Sequence, residues 1–330
     1  MSFLVTGGTG TFGKNFTRYM LNKFDKDENF FEDRIIVIYS RSEYSQEIMR
    51  QEFDDTRVKF VLGDILDSDK LTKTINKFDV SYLVHAAAVK RIETAEKDPS
   101  YCHLNNVTGT RRVLTACLQA HKSPRAVFLS TDKSVEPTTV YGASKMVAER
   151  LWMEAAKNMP LSVVRYGNVI GSRGSVLEIF EKCKYEDKPL PVTSLEMTRF
   201  FLPIQTAIEI VVEALFYRES NHLFIPFIKA FYIEDLVKAF IECYKEDSKE
   251  EIIEGKDYVV IGEKPYEKLH EKMVYDYESF VLKRTDNGTQ YLISSTDKEA
   301  KKYNSYNSLQ WQYRMTVKEL IRIIVENNGA

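Results

Sequence analysis

The sequence predicts an α/β fold: a doubly wound parallel sheet followed by a smaller C-terminal lobe. Three observations predict it. Short apolar or β-branched runs alternate with longer amphipathic ones through the first half of the chain. Each short run is apolar almost throughout, as in strands covered on both faces. The first run also leads directly into a glycine-rich turn and then a helical pattern.

The expected strands are FLVT (3–6), IIVIY (35–39), VKFVLG (58–63), YLVHAAA (82–88), AVFLS (126–130) and SVVRYG (162–167). Helices are expected between them at 14–23, 43–52, 69–77, 103–121 and 142–158, each ending near Asn, Pro or a charged turn. After about residue 170 the rhythm changes. Residues 171–200 read as loop-rich, with Gly171, Gly174, Pro189 and Pro191, and the remainder mixes short helices with polar connections. The division expected is a nucleotide-binding domain over 1–170 and a substrate-binding lobe over 171–330, with segments of the lobe crossing back to the first domain.

Composition narrows the class. The chain has 330 residues, 44% apolar content and a net charge of -2. No block of Lys or Arg offers a stripe for a phosphate backbone, so nucleic acid is not expected as a partner. Cys102, Cys117, Cys183 and Cys243 are scattered without a C-x-x-C pair. That spacing fits buried thiols in a reducing compartment rather than a metal or redox centre. No apolar run approaches the ~18 residues of a membrane span. The opening MSFLVTGG enters a strand with no charged leader. A soluble, cytoplasmic protein without a metal is the expectation.

TGGTGTFG (6–13) places Gly7, Gly10 and Gly13 between the first strand and first helix. Glycine there permits a tight turn, close approach of the backbone to a pyrophosphate and close packing of helix on strand. This is the Rossmann arrangement for a dinucleotide, with Thr9, Thr11 and Phe12 as further contacts; the alternative is a plain glycine-rich turn. At the end of the second strand stand Ser40 and Arg41. An acidic residue at that place would hold the 2′-hydroxyl of NAD, whereas a hydroxyl and a guanidinium suit the 2′-phosphate of NADP. Arg41 could instead cap a solvated helix. Asp64 and Ile65 after the third strand are expected near the adenine, Ala86, Ala87 and Ala88 along the cofactor, and Asn105 as a further contact.

LSTDKSVEPTTVYGASK (129–145) carries the chemistry. Tyr141 and Lys145 lie one helical turn apart on one face. A lysine beside the nicotinamide ribose lowers the tyrosine pKa, so that a phenolate can take a hydroxyl proton while hydride passes to the cofactor. With the glycine motif and the strand ending in Ser130-Thr131, the chain resembles the extended short-chain dehydrogenases/reductases over essentially its whole length. Relatives that only epimerise C4 of a sugar lack an acid–base pair after this strand, while resembling 4,6-dehydratases carry Thr-Asp-Glu. Here the triplet is Thr131-Asp132-Lys133. Lys133 is expected to replace the glutamate as the base for the C5 proton, its pKa depressed by burial and by Lys145 and Lys90 nearby. An ion pair with Asp132 is the alternative.

HAAAVKRIETAEKDP (85–99), STDKSVEPTTVYGASK (130–145), RYGNVIGSRGSV (165–176), MTRFF (197–201) and EKLHEKM (267–273) are similar to the inverting UDP-N-acetylglucosamine 4,6-dehydratases, in the same order. That resemblance implies oxidation at C4, loss of water across C5 and C6, return of hydride to C6 and reprotonation of C5 from the opposite face. The implied product is UDP-2-acetamido-2,6-dideoxy-β-L-arabino-hex-4-ulose, which opens the route to pseudaminic acid. It also implies roles: Tyr141 as C4 base, Asp132 as acid at the C6 hydroxyl, Lys133 at C5 and Thr131 on the C4 oxygen. Lys90 would lie near cofactor and sugar, and Asn168, Arg173 and Arg199 would contact substrate, unless the two arginines are exposed loop charges.

Where such dehydratases read Arg-Pro-Gly-Glu-Lys, this chain has Lys264-Pro265-Tyr266-Glu267-Lys268. Lys264 keeps the charge for a diphosphate but not the bidentate fork. A homo-oligomer is implied. Retaining dehydratases, which give the D-xylo product, often replace the tyrosine with methionine and carry membrane spans; other UDP-sugar epimerases or dehydratases are further alternatives. His103, His121, His222 and His270 are isolated, and His85 is expected to line the site.

Overall fold

The computed structural model describes residues 1–26, 34–170, 175–244 and 252–328. The N-terminal part builds β1 (Ser2–Thr6), α1 (Thr11–Lys26), β2 (Ile35–Ser40), α2 (Glu43–Glu52), β3 (Val58–Leu62), α3 (Ser68–Lys77) and β4 (Val80–His85). Helices α4 (Ile92–Lys97), α5 (Pro99–His103) and α6 (Gly109–Gln119) follow, the last two joined by a π-helical turn at Leu104–Thr108. Then come β5 (Arg125–Thr131), α7 (Val140–Ala155), β6 (Leu161–Tyr166) and β7 (Asn168–Val169). The C-terminal part adds α8 (Val176–Tyr185), β8 (Leu190–Val192), β9 (Thr198–Leu202), α9 (Ile204–Phe216), β10 (Leu223–Pro226), β11 (Ala230–Tyr232) and α10 (Ile233–Glu242). It ends with β12 (Tyr258–Val260), β13 (Phe280–Arg284), β14 (Gln290–Ser294) and α11 (Val317–Asn328).

A nine-stranded sheet runs in the order β13-β14-β10-β6-β5-β4-β1-β2-β3. From β3 to β10 the neighbours are parallel; β14 and β13 close one edge antiparallel. Phe3, Leu4 and Val5 of β1 are all fully buried, which requires cover on both faces. Alternation along the strand supplies it. Phe3 and Val5 pack with Phe16 and Met20 of α1 and with Val211 and Leu215 of α9. Leu4 joins Leu71 of α3, Val113 of α6 and Trp152 of α7 on the opposite side. Each such fully buried side chain contributes about 1.5–3 kcal/mol. A third core gathers Phe180 of α8, Phe240 of α10 and Ile324 of α11.

Three expectations change. The strand expected over 82–88 stops at His85, because its partner β1 ends at Thr6, opposite His85, where the glycine turn begins. Ala86 to Ala88 therefore leave the sheet and are free to line a cleft. The helix expected over 103–121 starts earlier, at Pro99, where the Asp98 side chain accepts from Tyr101 N at 2.8 Å, and it is interrupted by the π-helical turn. The stretch read as loop-rich contains α8, whose N-terminus Ser175 caps by accepting from Glu178 N. Beyond residue 170, β10, β14 and β13 extend the main sheet, while β11-β9-β7 and β12-β8 form two small sheets.

Candidate active site

Strand order reverses between β1 and β4, and a cavity of about 1000 Å³ opens there, at the carboxyl ends of the strands. Its walls come from the glycine turn on one side and from Arg199, Lys264 and Glu271 of the C-terminal half on the other.

Gly7 has φ +66°, and its N–H donates to Tyr39 O at 2.9 Å. A Cβ at Gly7 would lie 2.8 Å from Ala87 Cα, so side chains are excluded both by conformation and by space. Gly10 N donates to Gly7 O at 3.0 Å, closing the turn. Gly13 serves packing: a Cβ there would meet Gly8 O at 2.2 Å. Thr9, Thr11 and Phe12 line the cavity, and the first turn of α1 carries no acidic residue to compete with an anion. This cradle fits a dinucleotide pyrophosphate. Ala86, Ala87, Ala88 and Lys90 continue the same wall.

At the end of β2, Arg41 donates to Asn105 Oδ1 and Tyr101 Oη, each at 3.0 Å, and stands 3.6 Å from Asp64. Its side chain remains 49% exposed, so the fork is held by protein groups yet open to a ligand. Ser40 is buried and its Oγ accepts from Gln46 Nε2 at 3.0 Å, which leaves its proton for another acceptor. Asp64 is turned aside. Its Oδ1 accepts from Leu66 N, while Gly63 and Ile65 on either side line the cavity.

The second cluster sits where β5 ends. Thr131 is the last strand residue, Asp132–Ser134 form a 3-10 turn, and α7 begins with the Thr139 side chain accepting from Gly142 N at 2.9 Å. That cap puts Tyr141 in the first turn of the helix and Lys145 one turn on, both lining the cavity. Lys145 Nζ donates to Leu129 O at 2.5 Å and lies 3.9 Å from the Phe128 ring centre. Burial pushes its pKa down to about 7, with Glu149 pulling the other way. Burial pushes the Tyr141 phenol up to about 12, and Lys133 is the largest influence opposing that rise. Lys133, rather than the expected Lys145, is the cation that most lowers this tyrosine, and one donor of Lys145 goes to the Leu129 carbonyl.

The expectation of a pKa-depressed Lys133 is also corrected. Burial does penalise its charge, but Asp132 and Glu271 more than offset this and hold the ammonium above the ordinary lysine range, against a smaller opposing effect of Arg199. Nζ stands 3.1 Å from Asp132 Oδ1, 3.3 Å from Glu271 Oε1 and 3.0 Å from Asn168 Oδ1. The ion-paired alternative is the arrangement present. Asp132 has the opposite character: burial drives its carboxyl upward, with Lys133 opposing and Glu271 reinforcing the rise. Its Oδ1 also accepts from Thr131 Oγ1 at 3.0 Å, and its Oδ2 has no partner among the described residues. A carboxyl so placed is suited to carry a proton.

Arg199 is buried and lines the cavity, so the exposed-loop alternative fails, and its terminal nitrogens already have protein partners. They reach Thr198 O at 2.8 Å, Leu269 O at 2.9 Å and Glu267 at 3.1 Å, which ties the 267–271 segment to β9. Lys264 pairs with Glu93 of α4 at 2.6 Å across the cavity mouth. Arg173 lies outside the described residues. His85 does not line the site: it is buried between Thr6 and Thr110 and stacked on Trp152.

Sequence reading missed the support behind this cluster. Arg165 is fully buried between Glu149 (2.6 Å) and Glu278 (2.8 Å), and Glu149 Oε2 accepts from Ser130 Oγ at 2.6 Å. An arginine within an otherwise apolar strand is the signal that could have found it. Glu271 carried no such signal, being one acid in a polar stretch. Among the described residues no group of three or more His, Cys, Asp or Glu side chains is placed to hold a metal, and no helix is long and apolar enough to cross a membrane.

Comparison with known proteins agrees with this geometry. Residues 3–295 match the model of a family described as polysaccharide biosynthesis protein. The chain is 32% identical to the UDP-N-acetylglucosamine 4,6-dehydratase (inverting) of Campylobacter jejuni, over 99% of this chain and 98% of that one. It is also 32% identical to a UDP-glucose 4-epimerase of Rickettsia felis, over 97% and 95%. The X-ray structure of Pen from Bacillus thuringiensis superposes with a TM-score of 0.82 at 30% identity, covering 98% of both chains. The dTDP-glucose 4,6-dehydratase DesIV from Streptomyces venezuelae, solved with NAD and TYD bound, shares the fold at 20% identity and TM-score 0.71, over 82% and 87%. The chain thus belongs to the polysaccharide biosynthesis protein family, among the extended short-chain dehydrogenases/reductases that include the inverting UDP-N-acetylglucosamine 4,6-dehydratases.

Proposed function

We propose that this protein is an NADP-dependent UDP-N-acetylglucosamine 4,6-dehydratase that inverts C5. The observation that carries the reading is Lys133 in the same cavity as Tyr141 and Lys145, ion-paired to Asp132, which is fully buried beside it. Epimerisation at C4 needs only the last two; elimination of water needs an acid and a base as well. The equal identity to a 4-epimerase is outweighed by that pair.

Tyr141 takes the C4 hydroxyl proton and Thr131 hydrogen-bonds the C4 oxygen. Lys133 removes the C5 proton, which the C4 ketone has made acidic, and Asp132 protonates the departing C6 hydroxyl. A nicotinamide dinucleotide held by the Gly7–Gly13 turn would supply the hydride chemistry that links C4 to C6. DesIV, of the same fold, holds NAD, which supports a nicotinamide cofactor here. Arg41 and the absence of an acid at the end of β2 support NADP, held by the Gly7–Gly13 turn. In this reading residues 1–170 bind the cofactor and residues 171–330 cover the sugar, with Lys90, Asn168 and Lys264 as contacts. The enzyme would work as a cytoplasmic homo-oligomer at the first step towards pseudaminic acid or a related deoxy-sugar.

The test is incubation with UDP-N-acetylglucosamine in deuterated water, followed by proton NMR from the first minutes. A 4-keto-6-deoxy sugar with L-arabino couplings and deuterium at C5 is expected. A D-xylo product would establish the retaining reaction instead, and a C4 epimer without dehydration would overturn the reading.

A further inference from the structure

Lys133 presents a difficulty that Glu271 resolves. An ammonium cannot act as a base, and Lys133 is held between two carboxylates that favour its charge. Solvent is a poor destination for its proton, because the side chain is only 18% exposed and those of Asp132 and Glu271 are 0% and 4% exposed. We infer that Glu271 is the proton acceptor that converts Lys133 into the base, acting through Lys133 rather than on the sugar. This rests on the dehydratase reading above.

The geometry is specific. Glu271 is fixed through its backbone, since its N–H donates to Ser308 Oγ at 2.8 Å and its carbonyl accepts from Ser308 N at 2.7 Å. Its Oε1 is 3.3 Å from Lys133 Nζ; its buried Oε2 accepts no hydrogen bond among the described residues, with the Lys268 ammonium 4.0 Å away. The charged groups around the pair are Asp132, Arg199 and Lys268, with the Tyr141 phenol also within reach of the Lys133 charge. Burial raises the Glu271 carboxyl, but Lys133, Arg199 and Lys268 outweigh it and hold it below the usual carboxylate range, so the protonated Glu271 is a transient form reached only as the C5 proton is taken. With Asp132 protonated, Lys133 and Glu271 form a neutral pair. Transfer of one proton from Nζ to Oε1 leaves the N–H electron pair on nitrogen and forms an O–H bond on Glu271, without changing the net charge of a buried site. The amine then takes the C5 proton, the C5–H electrons form the C5–C6 double bond, and the C6–O bond breaks as Asp132 gives its proton to the leaving hydroxyl. One proton is then owed to Asp132, and the C4 hydroxyl proton taken by Tyr141 balances it.

The experiment compares full-length wild type and Glu271→Gln, each loaded with cofactor, on addition of UDP-N-acetylglucosamine from about pH 6 to pH 9. Reduced-nicotinamide absorbance reads C4 oxidation, and deuterium uptake at C5 with product formation reads elimination. Glu271→Gln should still oxidise C4 and should accumulate reduced cofactor, its loss in the elimination step exceeding any loss in the oxidation step. Its elimination should be slower by about 100-fold near neutrality and should climb with pH, as solvent becomes the acceptor. Elimination within twofold of wild type with the same pH profile would overturn the inference, as would loss of both steps together at every pH. If Glu271→Gln does not fold, Glu271→Asp, which withdraws the acceptor by one methylene, reads the same way: selective slowing of elimination supports the inference and no change overturns it. A wild type that never oxidises UDP-N-acetylglucosamine removes the dehydratase reading itself, which is a distinct result.

Discussion

Lys133 Nζ lies 3.1 Å from Asp132 Oδ1 although the two residues are adjacent in sequence, a contact made possible by the 3-10 turn that bends the chain immediately after β5. Lys133 lines the cavity, and Asp132 is fully buried beside it. Replacing Lys133 with Met should leave Asp132 and Glu271 buried side by side without their cation. Dehydration should fall by about 100-fold or more while C4 oxidation, read by reduced-nicotinamide absorbance, persists. Stability should fall as well, and the sign of its pH dependence follows from linkage. Carboxyls raised by mutual repulsion bind protons in the folded state that the unfolded state has lost, so the deficit against wild type should be small near pH 5 and grow towards pH 8. Thermal melts at both values check this.

Lys145 makes a different pH prediction. Its folded pKa of about 7 lies below the ordinary 10.5, so between those values the unfolded chain binds the extra proton. Stability of the free protein should therefore rise as pH increases through that window, by up to several kcal/mol for a shift of this size. Lys145→Met should lack that rise, and denaturant titrations of both proteins at about pH 6.5 and pH 9 measure the difference.

Arg41 is the specificity test. With its fork ordered by Asn105 and Tyr101, Arg41→Ala should weaken NADP by about 10- to 100-fold, the worth of a charge-assisted hydrogen bond, and leave NAD nearly unchanged. Ser40→Asp should move the preference further towards NAD by placing an acid where a ribose hydroxyl would sit. Dissociation constants for the two cofactors, measured by calorimetry, decide it.

Arg165 should prove to be a stability residue that acts on the site through Glu149. Arg165→Met would strand Glu149 and Glu278 as buried, unpaired carboxylates, at a cost of about 3–5 kcal/mol. Urea midpoints measure the loss. The double variant with Glu149→Gln should recover part of it, because one of the stranded charges is then gone.

What the sequence alone determined is local. Strand against helix, the glycine turn of residues 7–13 and the Tyr141–Lys145 spacing depend on near neighbours: on which residues are apolar, on where a side chain is excluded, and on the helical repeat. Arg41 at the end of β2 is legible for the same reason, since its position relative to the turn is set by one βαβ unit. What only the tertiary structure decided is the protonation of the site. Lys133 reads as a lone lysine until the chain returns 138 residues later and sets Glu271 3.3 Å from it, and Arg199 shows no partner in its own stretch of sequence until Leu269 and Glu267 bind it. Electrostatic energy depends on distance and burial rather than on order along the chain, so a pKa cannot be read from a motif when one of the opposite charges that set it arrives from a distant part of the sequence.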